Sequence, residues 1–212
     1  MDNNMLEHQH AIYKYQHAIY NYFKWRYECK AVYKIALAFC FAALTGLLAQ
    51  VKIYLSFTPV PITGQTFAVL LSGVLLGARY GIASQGIYST LGIAGVPWFA
   101  GWKGGISILT SATTGYIAGF ILAAGVIGWF TDRYIKSRSF VGMLLLMLFG
   151  TLIIYTLGAL HLALLMHLNL EQTLLLGVLP FIPGDLFKAL LAASIASALT
   201  PKKAYNGEVD AS

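Results

Sequence analysis

The chain has 212 residues, of which 58% are hydrophobic and 10% charged, with a formal net charge of +6. Soluble domains carry about a quarter charged residues, so a water-soluble globular fold is excluded and one integral membrane domain of several helices is indicated. The basic excess does not mark a nucleic-acid binder, because the lysines and arginines are scattered beside apolar segments and read as topology signals.

Residues 1–32 are basic and aromatic. His10-Ala11-Ile12-Tyr13-Lys14-Tyr15 recurs seven residues later as His17-Ala18-Ile19-Tyr20-Asn21-Tyr22. On a helix this repeat makes an aromatic face suited to the membrane surface. His8, His10 and His17 are read as incidental to that face rather than as metal ligands. No signal peptide is expected, since residues 1–30 contain no continuous apolar core. Cys29 lies in a basic flank and Cys40 in an apolar run, so no disulfide is expected.

The membrane domain is expected over residues 33–199, with a tail at 200–212. Its first span runs from about Tyr33 to Gln50. There Ala38 and Ala42 stand four apart and Gly46 extends the row; such spacing lets helices approach closely, either within the chain or against another membrane protein. A loop from Ile53 to Gln65 is broken by Pro59, Pro61 and Gly64. The second span, about Thr66 to Ala78, and the third, about Gly81 to Val96, are each shorter than the ~20 residues of a normal span. They read as a tight helical hairpin turning at Gly77-Ala78-Arg79-Tyr80-Gly81.

Gln85 and Tyr88 lie three apart on the third span and are expected to face the bundle interior, as is Tyr116 on the fourth. Each either bonds another helix or meets a ligand. The loop Gly95–Gly105 carries Trp98, Phe99, Trp102 and Lys103. It reads either as an interfacial aromatic belt with a snorkelling lysine or as a lid over an apolar ligand. The fourth span is expected from about Ile106 to Phe130 and the fifth from about Phe140 to Leu162. Gln172 to Ile182 is a shorter apolar stretch, and the sixth span runs from about Gly184 to Leu199. Helices are required, because backbone polar groups in lipid must be satisfied internally, and the alternation of a membrane barrel is absent.

Six spans place both termini on one side. Eleven lysines and arginines fall on that side against two, Lys52 and Lys103, on the other. The positive-inside rule then puts the termini in the cytoplasm and the start of the sixth span outside.

From Ser139 to Thr200 the only charges are Glu171, Asp185 and Lys188. A charge at membrane depth costs about 2.5–3.5 kcal/mol on insertion scales and marks a functional site by default. Asp185 and Lys188 are three apart and share a helix face. They form either a pair that pins the helix start or a polar ligand site. The carboxylate accepts from N–H donors, and a lysine beside helix N-terminal amides suits an anion. A ligand with an N–H end and an anionic end would use both.

No nucleotide-binding Gly-x-x-x-x-Gly-Lys-Ser/Thr loop and no His-Glu-x-x-His motif occurs. His161 and His167 stand alone. An enzyme is not indicated, and no cofactor or metal is implied.

Several segments together resemble the BioY biotin-transporter family. They are Thr58-Pro59-Val60-Pro61-Ile62-Thr63-Gly64-Gln65-Thr66, Leu76-Gly77-Ala78-Arg79-Tyr80-Gly81, Tyr88 with Gly92-Ile93-Ala94-Gly95-Val96-Pro97-Trp98-Phe99 and Gly104-Gly105, and Leu179-Pro180-Phe181-Ile182-Pro183-Gly184-Asp185-Leu186-Phe187-Lys188. The resemblance covers about Tyr33 to Leu199. It implies an all-α, six-helix substrate-binding subunit (S component) of the energy-coupling-factor (ECF) transporter type in a prokaryotic cell membrane. Such a subunit captures biotin from outside, with Asp185 and Lys188 in the pocket. It would dock through Ala38 and Ala42 to a transmembrane coupling subunit with two ATPases, or work alone. Tyr88, Gln85, Lys103, Trp102 and Tyr116 complete the expected binding residues. Where the family shows Gly-Pro-Thr-Gly-Gly-Tyr, this chain has Ser111-Ala112-Thr113-Thr114-Gly115-Tyr116, so a weaker helix break is expected there. The alternative is a self-sufficient, proton-coupled transporter of another small organic acid or vitamin, with Asp185 carrying the proton.

Overall fold

The computed structural model describes residues 3–210. Helix α1 spans Asn3–Glu28 and α2 spans Ala31–Leu48. Two short antiparallel strands follow, β1 (Lys52–Ile53) and β2 (Ile62–Thr63), with Lys52 opposite Thr63. They close the proline-rich loop between them. Helix α3 (Gln65–Ile93) is followed by α4 (Thr114–Arg133), α5 (Phe140–Met166), the short α6 (Leu170–Gly177) and α7 (Ile182–Leu199).

Helix α3 folds back on itself. Gly77 has φ +77° and ψ 175°, a conformation L side chains rarely adopt. Across the turn Gln65 bonds Tyr88, Ser72 bonds Gln85, and Gly73 lies against Gly81. The two limbs are therefore antiparallel, as the sequence led us to expect, and the turn is a single residue. At 1.5 Å per residue the first limb is only about 18 Å long, against a hydrocarbon core of about 30 Å. Short limbs leave room above them for a cavity. With α2, α4, α5 and α7, the two limbs make six apolar helical segments.

The broken ends are capped by side chains from elsewhere. Arg26 donates to the carbonyls of Val74 and Leu75, at 3.4 and 3.3 Å, and Asp132 accepts from the Ala78 N–H at 3.3 Å. Arg26 and Asp132 pair at 2.5 Å, and the Tyr205 hydroxyl accepts from Arg26 at 2.8 Å. Tyr15 donates to the Ala198 carbonyl. Helix α1 and the C-terminal tail therefore meet at the same end of the bundle. The tail is not loose there: Arg138 and Glu208 form a buried pair at 2.6 Å, and Asp210 accepts from the N–H groups of Ile135 and Lys136.

Three expectations change. The fourth helix begins at Thr114, not near Ile106; residues 106–110 form one 3-10 turn. The weaker break expected around Ser111–Thr114 is not seen. Ser111 is extended, and Thr114 donates to the carbonyls of Ile108 and Ser111, so hydroxyls hold the break that proline would hold elsewhere. Ala38 and Ala42 are wholly buried where α2 packs on α3, so they form no free docking face. A second small-residue row, Ala189, Ala192, Ala193 and Ala196 of α7, packs against Leu70, Val74, Met143 and Met147. In the repeat on α1, Ile12, Tyr13 and Tyr15 are exposed, and Tyr13 stacks on His17. The side chain of His8 lies outside the described residues.

Candidate ligand-binding site

At the end of the bundle opposite the termini lies a cavity of about 150 Å³. Its walls come from the β1–β2 loop, the starts of both α3 and α4, the Gly95–Gly105 loop, mid-α5 and the start of α7.

Asp185 and Lys188 sit on one wall. Pro183 occupies the first turn of α7, where its missing N–H has no partner to lose. Asp185 lies in that turn, where the helix dipole favours a negative charge. It is 5% exposed. Lys188 Nζ lies 2.5 Å from Oδ1, Thr66 donates to Oδ1 at 2.8 Å, and Tyr155 donates to Oδ2 at 2.6 Å. Lys188 also donates to the Thr63 carbonyl at 2.7 Å. The pair is thus built into the wall. A carboxylate has about four acceptor sites, so one site on Oδ2 is left. An ammonium has three N–H bonds, and one is left on Lys188.

Around this polar wall the lining is apolar and aromatic. Val60, Phe99, Ile108, Phe120, Ile154 and Phe181 supply it, and all are buried. Tyr88 is fully buried, stacks near Trp98 with centroids 5.4 Å apart, and accepts from Gln65 at 2.5 Å. Tyr116 spends its hydroxyl on the Gly177 carbonyl at 2.6 Å and presents its ring.

The glycine-rich loop is folded by local bonds. Phe99 and Lys103 exchange backbone bonds, closing a tight turn. Gln50 donates to the carbonyls of Trp98 and Phe99 and accepts from the Trp102 N–H. Gly92 has no side chain, and the Phe99 ring fills that space. Phe99 and Lys103 therefore border the cavity. Lys103 is exposed and, among the described residues, has no acidic partner, so the lining carries one surplus positive charge.

Of the residues singled out in the sequence, Asp185, Lys188, Tyr88, Tyr116 and Lys103 border the cavity. Gln85 does not. Its amide lies behind Tyr88 and bonds Thr45, Ser72 and Ser84, tying α2 to both limbs. Trp102 does not either. It takes a left-handed conformation at the turn, φ 58°, is 64% exposed and does not line the cavity. The sequence reading missed Thr66, Tyr155 and Gln50. Thr66 ends the Thr58–Thr66 segment that resembles the family, and Tyr155 had only its place as a tyrosine in an apolar run as a signal. His161 bonds the Ser111 carbonyl at 3.1 Å and supports the break before α4.

A bundle of apolar helices with a part-polar, partly open cavity at one end defines a membrane protein that captures a small molecule. The BioY family profile matches residues 20–205. The chain belongs to that family. It is 46% identical over 148 residues to the probable biotin transporter BioY of Methanothermobacter thermautotrophicus, covering 66% of this chain and 94% of that protein. It is 40% identical over 156 residues to the biotin transporter BioY of Thermotoga maritima, covering 74% and 89% respectively. A crystal structure of the S-component for biotin from an ECF-type ABC transporter superposes with a TM-score of 0.73 at 29% identity, covering 79% of this chain and 90% of that one.

Proposed function

We propose that this chain binds biotin in the cavity and serves its uptake into the cell. The observation that carries this reading is the pair Asp185–Lys188, built into an apolar cavity with one acceptor site and one donor still open. A ureido group needs that combination. One N–H is accepted by Asp185 Oδ2, and its carbonyl accepts from Lys188. The sulfur ring and the valerate chain are apolar and match Phe99, Ile108, Phe120 and Ile154. The carboxylate end then meets Lys103, which has no acidic partner among the described residues. Tyr116 donates its hydroxyl to Gly177 and offers its ring, whereas Tyr88 accepts from Gln65 and keeps its own O–H as a donor beside the ring.

Capture takes place from outside, with both termini cytoplasmic, in the cell membrane of a prokaryote. The eleven-to-two imbalance of basic residues supports that orientation. The chain acts as the substrate-binding subunit of an ECF assembly with a transmembrane coupling subunit and two ATPases, or works alone.

Isothermal titration of the purified chain with biotin tests the first part. Tight one-to-one binding is expected, and no binding in a folded sample refutes it. Uptake into liposomes, with and without coupling subunits and with and without a proton gradient, tests the second.

A further inference from the structure

Asp185 is held from three sides, and the three donors come from different parts of the chain. Lys188 is one turn further along α7, Thr66 opens the first limb of α3, and Tyr155 lies in the middle of α5. Oδ1 is filled by Lys188 and Thr66. Oδ2 has one donor, the Tyr155 hydroxyl at 2.6 Å. Without that hydroxyl, Oδ2 would have two open sites and the carboxylate would be free to turn about its last bond.

Tyr155 also borders two spaces. One is the cavity. The other is an open groove between α5 and α7, lined by Leu148, Thr151, Leu152, Ile182 and Leu186, which Asp185 also borders. Its ring is part of the partition between them, and its hydroxyl is the bond that ties α5 to α7 across that partition. The two roles are chemically separable, because phenylalanine keeps the ring.

We propose that Tyr155 is the positioning residue for Asp185 and sets the charge preference of the site. By occupying one site of Oδ2 it orients the carboxylate to accept a single ligand N–H. It also draws off negative charge through a short bond to an ionised acceptor, which is stronger than a neutral one. Lys188 offsets the rest. The open site then suits a neutral donor such as a ureido group better than a cationic donor. Removing the hydroxyl leaves Oδ2 richer in charge and less constrained. A neutral ligand loses orientation, whereas a cationic ligand regains by attraction what it loses.

This inference rests on the biotin reading, and the test separates the two. The full chain, wild type and Tyr155→Phe, is titrated at neutral pH with biotin and with 2-iminobiotin, in which a guanidinium replaces the ureido group. In Tyr155→Phe, biotin is expected to bind about tenfold more weakly, the loss of one hydrogen bond to a charged group. 2-Iminobiotin is expected to change less than twofold, so the preference for biotin falls. Tyr155→Met also removes the hydroxyl while keeping apolar bulk and is expected to move the preference the same way; it decides the matter if Tyr155→Phe does not fold. Equal weakening of both ligands would mean that the hydroxyl only supports the fold, and would overturn the proposal. So would unchanged affinity for both. Failure of the folded wild type to bind biotin would instead overturn the proposed function, and this inference with it.

Discussion

Asp185→Asn is the sharpest perturbation of the site, because it keeps the side chain's shape and removes its charge. The asparagine amide has one acceptor oxygen and one NH₂. With the oxygen at the Oδ1 position, Thr66 and Lys188 keep their partner. The NH₂ then faces the Tyr155 hydroxyl, which must turn to accept, and the ligand N–H meets a donor. With the amide flipped, the NH₂ faces two donors, Thr66 and Lys188. Neither orientation serves both sides: the first turns a donor to the ligand, and the second keeps an acceptor for it only by setting the NH₂ against Thr66 and Lys188. The lost bond to a charged acceptor is worth about 1.5–3 kcal/mol, or roughly 10- to 150-fold in affinity. A second cost falls on the fold. Lys188, whose side chain is 16% exposed, loses its counter-charge, keeping the Thr63 carbonyl and at best a neutral amide oxygen. Breaking a buried pair from one side costs about 3–5 kcal/mol, and the residual exposure of Lys188 places the loss toward the lower end. Calorimetric titration with biotin measures the first effect, and thermal unfolding without ligand measures the second. A biotin affinity within threefold of wild type, with an unchanged unfolding midpoint, would refute both the ligand contact and the structural role of the pair.

Ala42→Trp places a large ring in a fully buried contact of α2 with α3; overpacking of about 1–3 kcal/mol or more is expected, as a lower unfolding midpoint and loss of biotin binding through Tyr88. A folded Ala42→Trp protein with normal binding would show that this face is free after all. Burial pushes the Glu208 carboxyl up, but the hydrogen bonds from Arg138 and from backbone N–H groups outweigh it and hold it below the usual carboxylate range. Because its folded value is depressed, its stabilisation is present above the unfolded value of about 4.3 and is lost as pH falls through the folded value. Relative to the intrinsic exchange rate at each pH, protection of the Tyr205 and Asn206 amides should fall at acid pH in the wild type, and in Glu208→Gln it should already be low at neutral pH. For topology, single cysteines at Lys103 and Lys203 in a cysteine-free background should label from opposite faces of the membrane; labelling of both from one face would contradict the orientation proposed.

Composition, charge spacing and glycine placement determined the membrane class, the six segments and the site's ion pair. Those properties are local. An apolar run long enough to cross lipid declares itself, and a lone Asp–Lys pair in such a run stands out because charge is costly there. The turn at Gly77 was legible for the same reason, since short apolar runs on either side of a glycine must reverse. Ala38 and Ala42 were different. Small residues four apart say that something packs closely, but not what, and only the tertiary structure decided that α3 fills that face. Gln85 and Tyr88 lie one turn apart, yet one faces a polar network between helices and the other the cavity, a distinction of some tens of degrees in helix rotation. Trp102 and Lys103 are neighbours, and a two-residue bond pattern turns one outward and the other to the cavity. Thr66, Tyr155 and Asp185 are separated by 89 and 30 positions and meet at one carboxylate. No spacing rule relates them, because their meeting depends on where α5, α7 and the first limb of α3 cross.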